Sequence, residues 1–558
     1  MSTVPTESCA RGGATPPLIE QTLGAFFDSM VDRHPEREAL VVVHQQRRYT
    51  YRQLQLEARR LASALLTLGL QPGDRIGIWS HNNAEWVLMQ LATAQLGLVL
   101  VNINPAYRTA ELEYALNKVG CQALVTLPRF KTSDYLGMLR ELRQAQALPQ
   151  LRHTIWIDVA GEGADEPGFL RFSALMQTGD AQDPRLPQVA RLLHHQDPIN
   201  IQFTSGTTGF PKGATLTHRN ILNNGFFIGE AMKLTEHDRL CIPVPLYHCF
   251  GMVLGNLAVL THGGCIVYPS DAFEPLSVLQ AVQDEKCTGL HGVPTMFIAE
   301  LDHPRFAEFD LSTLRTGIMA GSPCPIEVMK RVQSEMNMDE VTIAYGMTET
   351  SPVSCQSSTD TPLDKRVSTV GQVQPHLEIK IIDPETGATV PRGTTGEFCT
   401  RGYSVMQGYW EDPARTAEAI DAQGWMHTGD LAVMDDEGYV NIVGRIKDMV
   451  IRGGENVYPR EIEEFLYRHP KVQDVQVVGL PDKKYGEELC AWIIAKPGQT
   501  LTEGEVREFC KGKIAHYKVP RYMKFVTEFP MTVTGKIQKF KIRELMQQEL
   551  GLSDVKTA

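Results

Sequence analysis

Several things are scarce in this 558-residue sequence, and each scarcity excludes something. Its eleven cysteines form no CxxC pair and no Cys/His ligand spacing, which argues against a disulfide scaffold or a zinc module and fits a reducing compartment. Positive charge is in deficit: 54 Lys and Arg stand against 66 Asp and Glu, for a net charge of -12. No nucleic-acid partner is therefore expected. Long apolar runs are missing as well. The best candidate, MVLGNLAVLTHGGCIVY at 252–268, is broken by Gly, Asn and His, whereas a spanning helix needs about 18 to 20 apolar residues. The first twenty residues lack a charged start followed by an apolar stretch, so no secretory signal and a cytoplasmic location are expected. Peripheral membrane contact and homo-oligomer formation stay open.

What is present is an ordinary globular composition, 42% hydrophobic and 22% charged, in a chain too long for one core. Leu54, Ala58, Leu61, Leu65 and Leu68 make one helical stripe, stopped by Gly69 and Pro72-Gly73-Asp74. RIGIWS at 75–80 follows as a buried strand, and the rhythm repeats through NAEWVLMQLATAQLG, LVLVNI, ELEYALNKVG and QALVTL. Alternating helices and strands predict an α/β fold of layered subdomains. Beyond residue 444 the pattern shifts to short strands and helices around EIEEFLYRH, VQDVQVVGL and GEVREFCKGKI. The expected division is a large N-terminal domain over 1–444 and a small α+β domain over 445–558.

At 204–213 the chain reads TSGTTGFPKG. A Walker loop needs GxxxxGK followed by Ser or Thr; here Pro211 replaces its second glycine and Gly213 its hydroxyl. The composition nevertheless suits a polyphosphate. Glycines expose backbone N–H groups, the Thr and Ser hydroxyls donate, and Lys212 adds a charge.

This loop, with YGMTETSP (345–352), GWMHTGDLA (424–432), GRIKDMVIRGGENVYPREIE (444–463) and PMTVTGKIQK (530–539), resembles the adenylate-forming superfamily of acyl-CoA synthetases, peptide-synthetase adenylation domains and luciferases. INIQFTSGTTGFPKGATLTHRN and CIPVPLYHCFGMVLG are most similar to the medium-chain acyl-CoA synthetases. The resemblance implies a carboxylate attacking the α-phosphorus of ATP, then a thiol displacing AMP. ATP, Mg²⁺ and coenzyme A are the implied cofactor and co-substrates. Thr204, Ser205, Gly206, Thr207, Thr208, Gly209 and Lys212 would wrap the phosphates. Glu349 would hold Mg²⁺, with Thr348 beside the α-phosphate. Gly321, Ser322 and Pro323 would form the adenine-side loop. Tyr345, followed by Gly346 and Met347, would stack on the base, and Asp430 and Arg445 would hold the ribose. Lys536 is the implied catalytic cation. The small domain is implied to be mobile about a hinge at Lys447, with Gly453, Gly454 and Glu455 lining a coenzyme A channel in its other orientation. Nine cations between 511 and 543, opposed there by Glu528 alone, predict a positive surface that could attract coenzyme A phosphates.

Between Arg239 and Ser270 there is neither Asp nor Glu, so a carboxylate to meet an amino acid's ammonium is missing and a neutral acyl group is favoured. Tyr247, His248, Phe250, Met252 and Val293 are the candidate acyl wall, although core residues share that composition. An acyl-AMP ligase loading a carrier protein, a luciferase-like oxygenase and a non-catalytic nucleotide sensor remain as alternatives.

Overall fold

A computed structural model describes residues 6–158, 167–204, 211–322, 324–452, 455–532 and 536–552. Three sheets build the large N-terminal part. The first has eight strands, in the order Leu170–Arg171, His153–Trp156, Ala123–Thr126, Arg75–Trp79, Val99–Asn102, Pro198–Thr204, Lys212–Thr217 and Gly408–Tyr409. The first six run parallel and the last two turn antiparallel.

The helix predicted from the Leu54 stripe spans Tyr51–Thr67. Thr50 opens it with a reciprocal capping box to Gln53, so two otherwise orphaned donors at its start are satisfied. Leu54, Ala58, Leu61 and Leu65 are completely buried, as a 3.6-residue apolar period requires.

The second sheet has nine strands: Gln372–Val373, Val353–Gln356, Glu340–Gly346, Thr316–Ala320, Gly289–Gly292, Arg239–Cys241, Cys265–Tyr268, Glu38–Val42 and Arg47–Thr50. Four neighbours in its middle, Glu340–Gly346, Thr316–Ala320, Gly289–Gly292 and Arg239–Cys241, are parallel. Their carboxyl ends therefore open side by side, the place where an open α/β sheet receives a ligand. One apolar core lies between the first and second sheets and another between the second and third.

The third sheet is antiparallel, in the order Cys9–Arg11, Leu377–Ile382, Gly396–Gly402, Met426–Met434 and Val440–Arg445. Arg445 closes it. The chain then crosses a turn at 446–448, with Lys447 in its middle, and enters a fourth sheet at Val450–Arg452. That sheet and the helices Pro459–Leu466, Glu503–Cys510 and Lys539–Glu549 form the small α+β unit.

The expected positive surface on this unit is largely cancelled. Lys511 pairs with Glu508, Lys518 with Glu461, Arg521 with Asp482, Lys524 with Glu549, Lys539 with Glu463 and Arg543 with Glu487. All six partner acids come from outside the segment that holds the cations, which is why a window on the sequence missed them.

The apolar run at 252–268 does not form one helix. Phe250–Leu257 is a π-helix, Ala258–Leu260 a single α-turn, and Cys265–Tyr268 a strand. Among the described residues no helix is long and apolar enough to cross a membrane. All eleven cysteines are unpaired, ten of them buried.

Candidate active site

The four parallel strand ends supply most of the site. Beyond Cys241 the chain carries Val244, Pro245 and His248 into the π-helix that starts at Phe250; Val293 follows Gly292, Gly321 follows Ala320, and Met347 to Glu349 follow Gly346. Val244, Pro245, His248, Phe250, Val293 and Gly321 line one small cleft, together with Lys536 from the small unit. Gly321 has φ +90°, and a Cβ there would stand 3.2 Å from Val293 Cγ1 and 3.7 Å from Lys536 Cε. Both the backbone angle and the space call for glycine. Gly321 thus faces the acyl side and Lys536 as well as continuing into Ser322. Pro323 lies outside the described residues.

His248 Nδ1 accepts the backbone N–H of Phe250 at 3.1 Å. Burial, with the Lys536 charge second, pushes its pKa down to about 3. The ring is therefore neutral, with its proton on Nε2. Of the other wall candidates, Met252 faces inward, where its sulfur accepts from Asn102 at 3.2 Å and Gln202 at 3.1 Å. Tyr247 is not part of the cleft lining either; desolvation raises its phenol pKa and Tyr107 lies close by.

Glu349 is buried at 4% exposure on a short 3₁₀ turn, Thr348–Thr350. Its Oε1 accepts from the Tyr409 hydroxyl at 2.8 Å, and that hydroxyl accepts from Lys212 Nζ at 2.9 Å. Lys212 itself opens the strand after the phosphate loop and is paired across the ladder with Thr204, so the loop's two ends are pinned together. Ser205, Gly206, Thr207, Thr208 and Gly209 lie outside the described residues.

Tyr409 had no place in the sequence reading, whose motifs do not include the GYW at 408–410. Burial raises its pKa, and the Glu349 charge adds to that. Cys249 was missed too. Its thiol donates to Gln202 Oε1 at 3.1 Å and lies against Thr348, and burial pushes its pKa up to about 12.

Asp430 and Arg445 are direct cross-strand partners, which accounts for their contact: Arg445 Nε stands 3.0 Å from Asp430 Oδ1. The Tyr345 hydroxyl donates to the other Asp430 oxygen at 2.7 Å. Desolvation raises the Asp430 pKa against the opposing pulls of Arg445, Tyr345 and Lys536. Asp430 follows Gly429, which takes φ +70° inside the strand Met426–Met434 where its pairing with Gly396–Gly402 shifts register, an angle that suits glycine. The Gly429 N–H donates to Glu397 Oε1 at 3.0 Å, and Glu397 Oε2 lies 3.1 Å from His427 Nδ1. Glu397, Cys399 and His427 meet across two strands, a grouping that residue spacing along the chain could not reveal.

Lys536 N–H donates to Thr532 Oγ1 at 3.1 Å. Desolvation and then Arg445 lower the pKa of its ammonium, while Asp430, Cys249 and Glu349 hold it up. One cation thus sits in the fields of Asp430 and Glu349 at once. Lys447 occupies the exposed turn between the third and fourth sheets. Glu455 pairs with Arg452 across a hairpin, and Gly453 and Gly454 between them lie outside the described residues.

The family model described as AMP-binding enzyme matches residues 27–410, and that of the AMP-binding enzyme C-terminal domain matches 461–536. The chain is 47% identical to the mitochondrial medium-chain acyl-CoA ligase ACSF2 of Bos taurus, over 96% of this chain and 89% of that one. It is 48% identical to the putative acyl-CoA synthetase YngI of Bacillus subtilis (strain 168), over 96% and 99% respectively. Its fold matches the crystal structure of the anthranilate CoA ligase AuaEII in complex with anthranoyl-AMP with a TM-score of 0.86 at 28% identity, covering 96% of this chain and 99% of that one. ATP-bound MatB from Rhodopseudomonas palustris matches with a TM-score of 0.82 at 28% identity, covering 94% and 99%.

Proposed function

Because the chain belongs to the AMP-binding enzyme family and is an ATP-dependent acid:CoA ligase, we propose that its acid is a medium-chain fatty acid. The relative named a medium-chain acyl-CoA ligase, 47% identical over 96% of this chain, carries the chain length, and the cleft supports an uncharged tail. Val244, Pro245, Phe250, Val293 and a neutral His248 offer no charge to a substrate tail, while Lys536 in the same lining meets its carboxylate. The second relative, named a putative acyl-CoA synthetase, supports the acyl-CoA product without a chain length.

In the first half-reaction a carboxylate oxygen attacks the α-phosphorus of ATP and pyrophosphate leaves. In the second the thiol of coenzyme A attacks the acyl carbon and AMP leaves. The protein's part in such a transfer is alignment and charge neutralisation. Lys536 bridges the two anions as they meet. Tyr345 and the Asp430–Arg445 pair hold the nucleoside, the carboxylate being suited to two vicinal hydroxyl donors. Thr204 and Lys212, with the loop between them, take the phosphates, and Thr348 stands toward the α-phosphate.

A divalent cation fits beside Glu349, because a buried carboxylate oriented by Tyr409 offers the hard oxygen ligand that Mg²⁺ takes. When bound there, Mg²⁺ supplies charge neutralisation to the phosphates. Gly453, Gly454 and Glu455 line the approach of coenzyme A once the small domain, 445–558, has turned about Lys447. Ten buried, unpaired thiols support a reducing compartment, the cytoplasm.

The test is a panel of acids from about four to eighteen carbons, read as AMP release with coenzyme A present. Differences of a few methylenes should change kcat/KM by tenfold or more, with the maximum at intermediate length. A maximum at the long end rejects the medium-chain reading. Pyrophosphate exchange that survives in Lys536→Ala rejects the role given to that lysine.

A further inference from the structure

Lys536 reaches the cleft only because the small unit is docked against the large one, so the contacts that dock it bear on the chemistry. Three side chains of the small unit meet the large one along a single seam. Arg460, on the helix Pro459–Leu466, donates through Nη1 to the backbone carbonyl of Ile442. That carbonyl belongs to the strand Val440–Arg445, which ends in the ribose-side arginine. One helical turn further on, Glu464 Oε1 stands 4.0 Å from Arg460 Nε, and its carboxylate lies against the backbone N–H of Ile326.

Ile326 is the first residue of the large unit's helix Ile326–Glu335, which has no side-chain cap of its own. A helix start leaves its N–H groups unsatisfied and favours a nearby negative charge. This helix also follows directly on the loop that carries Gly321 and Ser322. Farther along the seam, Gln473 Nε2 donates to Asp302 Oδ2 at 3.2 Å, and Asp302 Oδ1 is held at 2.9 Å by Arg331 from the same helix. The Glu464 and Gln473 contacts therefore converge on one helix next to the active-site loop.

We propose that Arg460 and Glu464 are positioning residues, a clamp that docks the small domain in the arrangement that presents Lys536 for acyl-adenylate formation. Neither touches the reacting atoms. They act by fixing where the lysine stands. The inference rests on the role proposed for Lys536, and the test separates the two. The Cys324 thiol, buried between the loop and the helix and close to both side chains, provides a reporter of undocking.

The full-length protein, Arg460→Met, the near-isosteric Glu464→Gln and Lys536→Ala would be compared in three measurements. These are pyrophosphate exchange, thioester formation from supplied acyl-adenylate and coenzyme A, and the alkylation rate of Cys324 read by peptide mass. Because a misplacement of about 1 Å can cost on the order of a hundredfold, Arg460→Met should lower the exchange kcat by at least about tenfold. Thioester formation from supplied adenylate should stay within about threefold of wild type and Cys324 should react faster, with Glu464→Gln moving in the same directions. If Arg460→Met does not fold, Glu464→Gln alone decides. Equal losses in both half-reactions, or wild-type exchange in the clamp variants while Lys536→Ala is dead, would overturn the clamp and leave Lys536 standing. Exchange that persists in Lys536→Ala overturns the lysine's role and the clamp's purpose together.

Discussion

At the scale of single residues, the role proposed for Lys536 makes its charge state the control on the first half-reaction. Its ammonium pKa is lowered by burial and by Arg445, so the active, protonated form is lost at a lower pH than for an ordinary lysine near 10.4. The profile of kcat/KM reports the free enzyme. Its alkaline limb should therefore fall below that value in wild type and disappear in Lys536→Arg, whose guanidinium stays charged. A limb that persists in the arginine variant would assign it to another group. Lys536 and Glu349 were legible because they sit in long motifs. Tyr409 was not, because its importance comes from a hydroxyl placed between Lys212 and Glu349, partners far from it along the chain. The Met252 sulfur takes the amides of Asn102 and Gln202, contacts that composition could not foresee.

At the scale of elements, strand pairing does what spacing cannot. Asp430 and Arg445 are opposite one another because the hairpin of Met426–Met434 and Val440–Arg445 sets that register. The helices and strands of the first 130 residues could be read from period and breakers, as the Leu54 helix and the Arg75–Trp79 strand illustrate. The π-helix could not, since its apolar run also suits a buried α-helix or strand.

In the fourth sheet, Arg452 grips Glu488 with bonds of 2.7 and 2.8 Å to its two oxygens. Glu488 is 1% exposed. Removing one partner of such a pair strands a buried charge and costs about 3 to 5 kcal/mol. Arg452→Met should accordingly lower the stability of the small domain by that order in chemical denaturation. Thr204 and Lys212 should remain as resistant to hydrogen exchange as in wild type, because the first sheet is built without the fourth. A change under about 1 kcal/mol would mean that Arg521, 3.7 Å from the same acid, compensates.

For the whole molecule, the chain passes from the third sheet to the fourth through the short turn around Lys447. If the two half-reactions need two orientations of the small domain, the dihedral change is absorbed there. Lys447→Pro fixes φ near -65° and should spare one half-reaction while depressing the other, which separate exchange and thioester assays would reveal. Equal rates for both would remove the hinge. The surface charge of the small domain was misread from sequence for a reason of the same scale. The acids that neutralise Lys518, Arg521 and Lys539 are brought in by tertiary folding from residues 461, 482 and 463.

The third sheet begins with Cys9–Arg11, whose neighbour is Leu377–Ile382. On a ribosome the head of the chain must therefore wait for residue 382 to emerge before it can pair. At synthesis rates of about 5 to 20 residues per second, that delay is on the order of twenty seconds to a minute. During that interval the strand has no ladder partner, and its backbone donors and acceptors are left to water.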